Sequence, residues 1–380
     1  MRIGVDATCW TNRRGYGRHL RSLLGATLAI DRANHWVLFT DSDGEFPRGA
    51  EIVRVAASSP AVQAASSTGR RSLADLWSMS RALARPGLDC LLFPTVYSYV
   101  PVLSRAAKIV VIHDVIPEKF PQHVFPTAAG RWNWTLKSLL ARRQARLIVT
   151  VSDFSRRQIL DYFGERPERV KVVGEAGDPV FRRLDNPPPA EGRLLVFVGG
   201  FSPHKNLLGL LDAFAAVIAR PGLDDVRLAL IGDYQTDSFH SCYHQVRDRV
   251  SQLQGRVTLP GYLPDEDLVR LLNTAAALVL PSLMEGFGLP AIEAAACGCP
   301  VVATTAGPLP DLLGDGGLYV APGDSSALAG ALDRVLRDTA LRSRMAEAGL
   351  RAAARLSWDR AARELLAVLD HVSHRHAKAA

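Results

Sequence analysis

The sequence predicts an α/β protein of two Rossmann-like, doubly wound domains facing a central cleft. Three observations predict it. Apolar strand runs alternate with amphipathic helix patterns from the first residue, the mark of a parallel sheet covered on both faces. The segment Asp185-Asn186-Pro187-Pro188-Pro189-Ala190-Glu191-Gly192 interrupts that alternation halfway, because proline fixes φ and lacks an N–H donor. The alternation then restarts, and 380 residues suit two domains of roughly 150 each better than one core.

In the first half, strand patterns fall near Arg2 to Thr8, His35 to Thr40, Ile52 to Ala56, Asp89 to Phe93, Lys108 to Ile112, Leu147 to Val151 and Val170 to Val173. Helices fall between most of them. The second half offers strands Leu194 to Gly199, Val226 to Gly232, Val257 to Pro260, Ala277 to Pro281 and Val301 to Thr304. Helices are expected from Asn206, over His240 to Gln254, from Asp265 and from about Gly288, with three more to close the chain. The domains are therefore residues 1–185 and 193–358, followed by a C-terminal helix and tail at 359–380, with the last helices able to cross back to the first domain. Ser58 to Arg71, rich in Ser, Ala and Gln, reads either as a lid or as a plain surface connection. His371 to Ala380 reads as a frayed tail.

Composition narrows the class. With 48% hydrophobic and 22% charged residues the chain can bury sizeable cores, which excludes general disorder. It holds no run of 18 apolar residues, and Met1 to Asp6 is already a strand pattern, so a cytoplasmic protein is expected. The five cysteines lack zinc-site spacing and read as reduced thiols; Cys297-Gly298-Cys299 fits small residues between a helix and a strand.

The net charge of +7 is uneven. Residues 1–185 carry 27 Lys and Arg against 17 Asp and Glu, and residues 186–380 carry 18 against 21. A basic first half favours phosphate or an acidic membrane at the inner face. Nucleic acid is not expected, since no basic cluster sits in a nucleic-acid module. The helix Arg131 to Arg146 joins Trp132 and Trp134 to Lys137, Arg142, Arg143 and Arg146, so it either touches membrane peripherally or packs its tryptophans into the core.

The most informative stretch runs from Val279 to Gly298. A buried strand leads into a loop bearing Glu285, then Gly286-Phe287-Gly288-Leu289, then a helix with Pro290 in its first turn. A helix N-terminus with free donors suits a pyrophosphate. Glu285 and Glu293, eight positions apart, span roughly 12 Å if helical, enough to bridge a diphosphate. One carboxylate could then accept from sugar hydroxyls and the other from the ribose. The plain alternative is a solvated loop glutamate and a helix-surface one.

Glu285-x7-Glu293 inside Pro281-Ser282-Leu283-x-Glu285-Gly286-Phe287-Gly288-Leu289-Pro290 resembles the signature of the family 4 retaining glycosyltransferases, which have the GT-B fold. Gly15-x-Gly17-Arg18, His113-Asp114, Val151-Ser152-x-x-Ser155, Gly199-Gly200-x-x-x-x-Lys205-Asn206, Gly261-Tyr262-Leu263 and Pro300-Val301-Val302-Ala303 match in order.

The resemblance implies that Lys205 contacts the donor diphosphate, and a lysine at the mouth of a strand is also well placed as a point charge. It implies that Glu285 holds the donor sugar, Glu293 the ribose and His113 the sugar from the other domain. Gly199, Gly200, Ser202, Asn206, Gly286, Phe287, Gly288 and Leu289 would then line the donor, with Gly232, Tyr262 and Leu263 near the base. Gly15 and Gly17 would approach the sugar, while Gly15-Tyr16-Gly17 by itself fits a plain strand-to-helix turn equally. Asp114 and Tyr16 are acceptor candidates; Asp114 fits a helix cap as well.

The chain departs from the family at Gly200, where an arginine often completes the phosphate clamp. Arg18 is the expected replacement. Asp41-Ser42-Asp43 follows a strand in a turn-rich run and reads as solvated turn aspartates rather than a metal pair. No other carboxylate and histidine cluster is apparent, so no metal and no cofactor are expected, the nucleotide-sugar being a substrate.

The expected function is transfer of a hexose, with retention, from a nucleotide-diphosphate sugar to a saccharide or lipid-linked saccharide. GDP-mannose is the preferred donor, since the His113 and Gly15 motifs resemble those of bacterial surface-polysaccharide mannosyltransferases. The alternatives are a nucleotide-sugar epimerase on the same fold and a catalytically silent nucleotide-sugar-binding protein.

Overall fold

The computed structural model describes residues 1–12, 15–58, 72–189, 192–234 and 241–377. Two compact units divide the chain: Met1–Pro121, Phe125–Glu175 and Ser357–Ala380 form the first, Gln122–Val124 and Ala176–Leu356 the second.

The first unit holds strands β1 (Arg2–Asp6), β2 (His35–Thr40), β3 (Ala50–Arg54), β4 (Cys90–Phe93), β5 (Ala107–Val111), β6 (Ala145–Thr150) and β7 (Val170–Val172). They pair in the order β3-β2-β1-β4-β5-β6-β7, all parallel. Central strands read as unbroken Val, Ile and Leu because both faces are covered: Ile3, Val5, Leu38, Ile109, Val110 and Ile148 are fully buried. The strand order reverses between β1 and β4, which opens a crevice at the carboxyl ends there. The helix Gly15–Ile30 follows β1 and packs against the closing helix Trp358–Ala377.

The second unit repeats the plan with β8 (Leu194–Val198), β9 (Arg227–Ile231), β10 (Val257–Gly261), β11 (Ala277–Leu280), β12 (Val301–Thr304) and β13 (Gly317–Val320). The order is β10-β9-β8-β11-β12-β13, so its reversal lies between β8 and β11.

Every strand expected from the sequence is present within about two residues, and β13 is an addition. Four residues, the first of them a glycine, carry too little periodicity to read as a strand. The unit boundary falls after Glu175, ten residues before the proline segment, because Ala176 onward packs with the second unit. The tail read as frayed is helical through Ala377. The helix expected over His240 to Gln254 spans Tyr243–Ser251, and residues 235–240 lie outside the described residues, as do 59–71 of the expected lid and 378–380 of the tail.

Candidate donor and acceptor sites

In the second unit, the loops after β8 and β11 emerge on either side of the sheet reversal and meet. The first carries Lys205, whose Nζ lies 2.7 Å from Glu285 Oε1 on the second. Both are largely shielded, with 22% and 12% of their side chains exposed. Ser282 Oγ donates to the same Glu285 oxygen at 2.6 Å, so the carboxylate is held from two sides before any ligand arrives.

The backbone of this loop is fastened at four points. Leu283 N–H donates to His204 O at 2.8 Å and Glu285 N–H to Ala306 O at 2.9 Å. Asn206 Nδ2 donates to Pro281 O at 3.2 Å, and Thr304 Oγ1 to Ser282 O at 2.7 Å. Asn206, expected at the donor, braces the loop with its side chain, which also packs on Gly209. Its left-handed backbone, φ 54°, opens the helix Leu207–Ile218. Ser202 caps the short turn Pro203–Lys205, where Lys205 N–H donates to Ser202 O at 2.9 Å.

Gly288 closes the loop as N-cap of the helix Leu289–Ala296 with φ 88°, a conformation that a side chain opposes. A Cβ there would also meet the Leu309 side chain at 3.0 Å. Phe287 is buried. Glu293 is only 3% exposed, so the helix-surface alternative is set aside: its Cγ would lie 3.3 Å from a Cβ on Gly177. A helix N-terminus beside Lys205 gives this site a positive end suited to phosphate.

Gly200, the place of the missing arginine, is exposed, and a Cβ there would meet nothing within 4 Å. Gly232 is the reverse case, since a Cβ would lie 1.9 Å from Gly199 O. Gly199 and Gly232 therefore serve close backbone approach at the ends of neighbouring strands. Tyr262 is 57% exposed beyond β10, and Leu263 is half-buried beside it. Unforeseen from the sequence, Tyr234 and Tyr243 stack at 4.6 Å and 6°, with Phe201 5.2 Å from Tyr234.

In the first unit, Gly15, Tyr16, Gly17 and Arg18 form the first turn of the helix after β1. A Cβ on Gly17 would lie 2.0 Å from Asn12 O and 2.6 Å from Cys9 O, so this glycine lets the helix seat on its own loop. Around Gly15 there is open space. The turn reading thus fits Gly17, while Gly15 leaves room for a ligand. Arg18 is half-buried.

His113 follows β5 at the carboxyl edge. Its Nε2 faces Pro94 O at 3.0 Å, and a carbonyl only accepts, so Nε2 carries a proton. Its Nδ1 faces Glu175 Oε1 at 3.6 Å, and His19 Nδ1 reaches that same oxygen at 2.6 Å. Burial alone would push His113 down, but the hydrogen bond and charge of Glu175, with Pro94 O and Asp114, raise it above the ordinary value. Burial likewise opposes ionisation of Glu175, yet the two imidazoles hold it down at about 2. Burial lowers His19, against the pull of Glu175. The three donor atoms lie within 4.8 Å of one another, the one cluster of metal-ligand type among the described residues. The expectation that no carboxylate and histidine cluster exists is thereby corrected: these residues are far apart in sequence and converge only in the fold.

Asp114 Oδ1 accepts from Ile116 N–H at 2.8 Å, the cap-like role, at the start of a short helix. Tyr16 lies 5.0 Å from the His113 ring and 5.1 Å from Tyr97. Tyr97 is 4.6 Å from Trp134, whose Nε1 donates to Glu118 Oε1 at 2.7 Å. The two tryptophans of the basic helix, Ala128–Gln144, therefore differ: Trp134 packs inward and Trp132 is 74% exposed. Asp43 pairs with Arg54 at the exposed end of β2. All five cysteines are buried and none forms a disulfide among the described residues, and burial pushes the Cys297 thiol up to about 12. No helix among the described residues is long and apolar enough to cross a membrane.

Residues 14–178 match the model of "Glycosyltransferase Family 4", and residues 192–338 that of "Glycosyl transferases group 1". The chain belongs to glycosyltransferase family 4. It is 34% identical over 224 residues to O-antigen chain mannosyltransferase B of Escherichia coli, covering 57% of this chain and 58% of that protein. It is 30% identical over 233 residues to the phosphatidyl-myo-inositol mannosyltransferase of Mycobacterium leprae, covering 59% of each. The chain thus spans less than two thirds of the length of these relatives. Sucrose-phosphate synthase from Thermosynechococcus elongatus superposes with a TM-score of 0.79 at 19% identity, over 98% of this chain and 99% of that one. That likeness establishes the GT-B fold of this family 4 chain, two Rossmann-like parallel-sheet domains. Both matched models are transferases, which leaves the epimerase alternative without support.

Proposed function

We propose that this family 4 chain transfers a hexose, with retention and without a metal or other cofactor, from a nucleotide-diphosphate sugar to a saccharide or lipid-linked saccharide. The observation that carries the reading is the braced Lys205–Glu285 pair at 2.7 Å beside the helix beginning at Leu289. It puts a cation, a carboxylate and a helix N-terminus at one sheet reversal, the set needed for phosphates and sugar hydroxyls.

In this reading Lys205 and the helix N-terminus stabilise the departing diphosphate, and Glu285 accepts from the sugar. Glu293 accepts from the ribose. Arg18 supplies the charge that Gly200 lacks. No protein carboxylate acts as nucleophile; the leaving phosphate takes the acceptor proton on the same face. Mannose from GDP-mannose is the favoured donor, supported by the two mannosyltransferase relatives, within bacterial surface polysaccharide or glycolipid synthesis. Peripheral contact of the exposed Trp132, Arg131 and Arg143 with an acidic inner membrane face belongs to the same proposal.

The test is nucleotide release from a donor panel, GDP-mannose, UDP-glucose, UDP-N-acetylglucosamine and dTDP-rhamnose, with candidate acceptors present. Acceptor-dependent GDP release supports the reading. Tight donor binding with no release from any donor favours the silent binder instead.

A further inference from the structure

Glu175 ends the Phe125–Glu175 segment of the first unit and lies outside every motif in the sequence. It is 5% exposed, and its Oε1 is approached by His19 Nδ1 at 2.6 Å and His113 Nδ1 at 3.6 Å. The segment carrying it is itself tied down, since Gly174 N–H donates to Glu364 Oε2 at 2.9 Å. His19 is 2% exposed. Its ring meets His113 edge-on at 4.8 Å and Trp358 at 5.9 Å.

We infer that Glu175, with His19 beside it, is a positioning residue that fixes the His113 imidazole at the carboxyl end of β5. A buried carboxylate is costly unless it is paired, and here two imidazole rings face one of its oxygens. With Nε2–H on Pro94 O and Nδ1 on Glu175, the His113 ring cannot flip without losing both partners. What it presents to a ligand is then its ring edge and charge in one fixed orientation. The groups facing His113 are Glu175, His19, Asp114 and Tyr16, and Glu175 is the anion that outweighs burial there. The inference rests on the transferase reading for its kinetic arm only.

The spectroscopic arm is histidine ring NMR of the full chain. Glu175→Gln removes the anion, burial then dominates, and His113 titrates at lower pH than in the wild type; Glu175→Asp keeps the charge and restores the higher titration. Identical His113 titration in wild type and Glu175→Gln overturns the inference. In the kinetic arm, Glu175→Gln lowers donor turnover by about 10- to 100-fold through misorientation, and the alkaline limb of its pH profile moves to lower pH. Added to His113→Ala it costs nothing further. Fully additive losses would mean that Glu175 acts on the fold rather than through His113, which also overturns the inference. One equivalent of tightly bound zinc in purified wild-type protein, absent from Glu175→Gln, would replace positioning by a metal site. If wild type releases no nucleotide from any donor, the transferase reading fails while the titration still decides the role of Glu175.

Discussion

Lys205 Nζ and Glu285 Oε1 lie 2.7 Å apart although 80 positions separate them in the chain. Each satisfies the other without ligand, so a bound donor must compete for both. Lys205→Ala should lower kcat/KM by roughly 100- to 1,000-fold, the loss typical of removing one prearranged electrostatic group. Because it also takes the cation from Glu285 and leaves it only the Ser282 hydroxyl of these two partners, Lys205→Ala and Glu285→Gln should combine with far less than additive loss. A double-mutant cycle on nucleotide release measures this, and full additivity would place the two residues at independent tasks.

The open surroundings of Gly200 allow a direct test of the phosphate clamp. Gly200→Arg should leave the melting temperature unchanged, since its Cβ meets no atom. It should lower the KM for donor several-fold, by about 1 kcal/mol for a charge-assisted contact. Arg18→Ala should weaken donor binding in the native background and matter less in Gly200→Arg. Equal effects of Arg18→Ala in both backgrounds would separate Arg18 from the diphosphate.

Gly288 and Gly17 are required for different physical reasons, and unfolding by urea distinguishes them from Gly15. Gly288→Ala should cost about 1–2 kcal/mol from the positive φ alone. Gly17→Ala should cost at least as much, because the added carbon meets backbone oxygens that have no rotamer with which to yield. Gly15→Ala, in open space, should stay within about 0.5 kcal/mol.

Glu118 gives stability a pH dependence. Burial is the main cause that raises it from 4.5 to about 7, with Asp114 adding and the Trp134 hydrogen bond opposing. The folded state therefore binds a proton that the unfolded chain releases, and stability falls as pH rises from about 4.5 through 7. Glu118→Gln keeps the Trp134 N–H bond without the charge, so its advantage over wild type should grow across that window to about 3 kcal/mol at most. Melts at pH 5 and pH 8 decide it; a gap between the two proteins that is the same at both pH values contradicts the assignment.

Trp132, 74% exposed on a helix with exposed Arg131 and Arg143, should anchor the chain to anionic vesicles. Trp132→Ala with Arg131→Gln should abolish sedimentation with phosphatidylglycerol vesicles at low salt and leave turnover of a soluble acceptor unchanged. Binding that survives both substitutions would move the contact elsewhere.

The sequence by itself determined the parallel-sheet units, because burial on both faces writes itself into every central strand as a continuous apolar run. It also determined the Glu285 to Glu293 loop and Lys205, since local residue types encode a strand end, a left-handed glycine and a helix start. It did not reveal β13, too short to show a period, or the unit boundary after Glu175, which depends on what Ala176 packs against. Only tertiary structure decided that Lys205 and Glu285 are partners, that Glu293 is buried, that Asn206 braces its loop, and that one tryptophan of the basic helix faces out while the other packs inward. Above all it gathered His19, His113 and Glu175 onto one oxygen. Those contacts join residues from three distant parts of the chain, and no local pattern carries a signal for them, because the sheet order that brings β1, β5 and the segment after β7 together is a property of the whole fold.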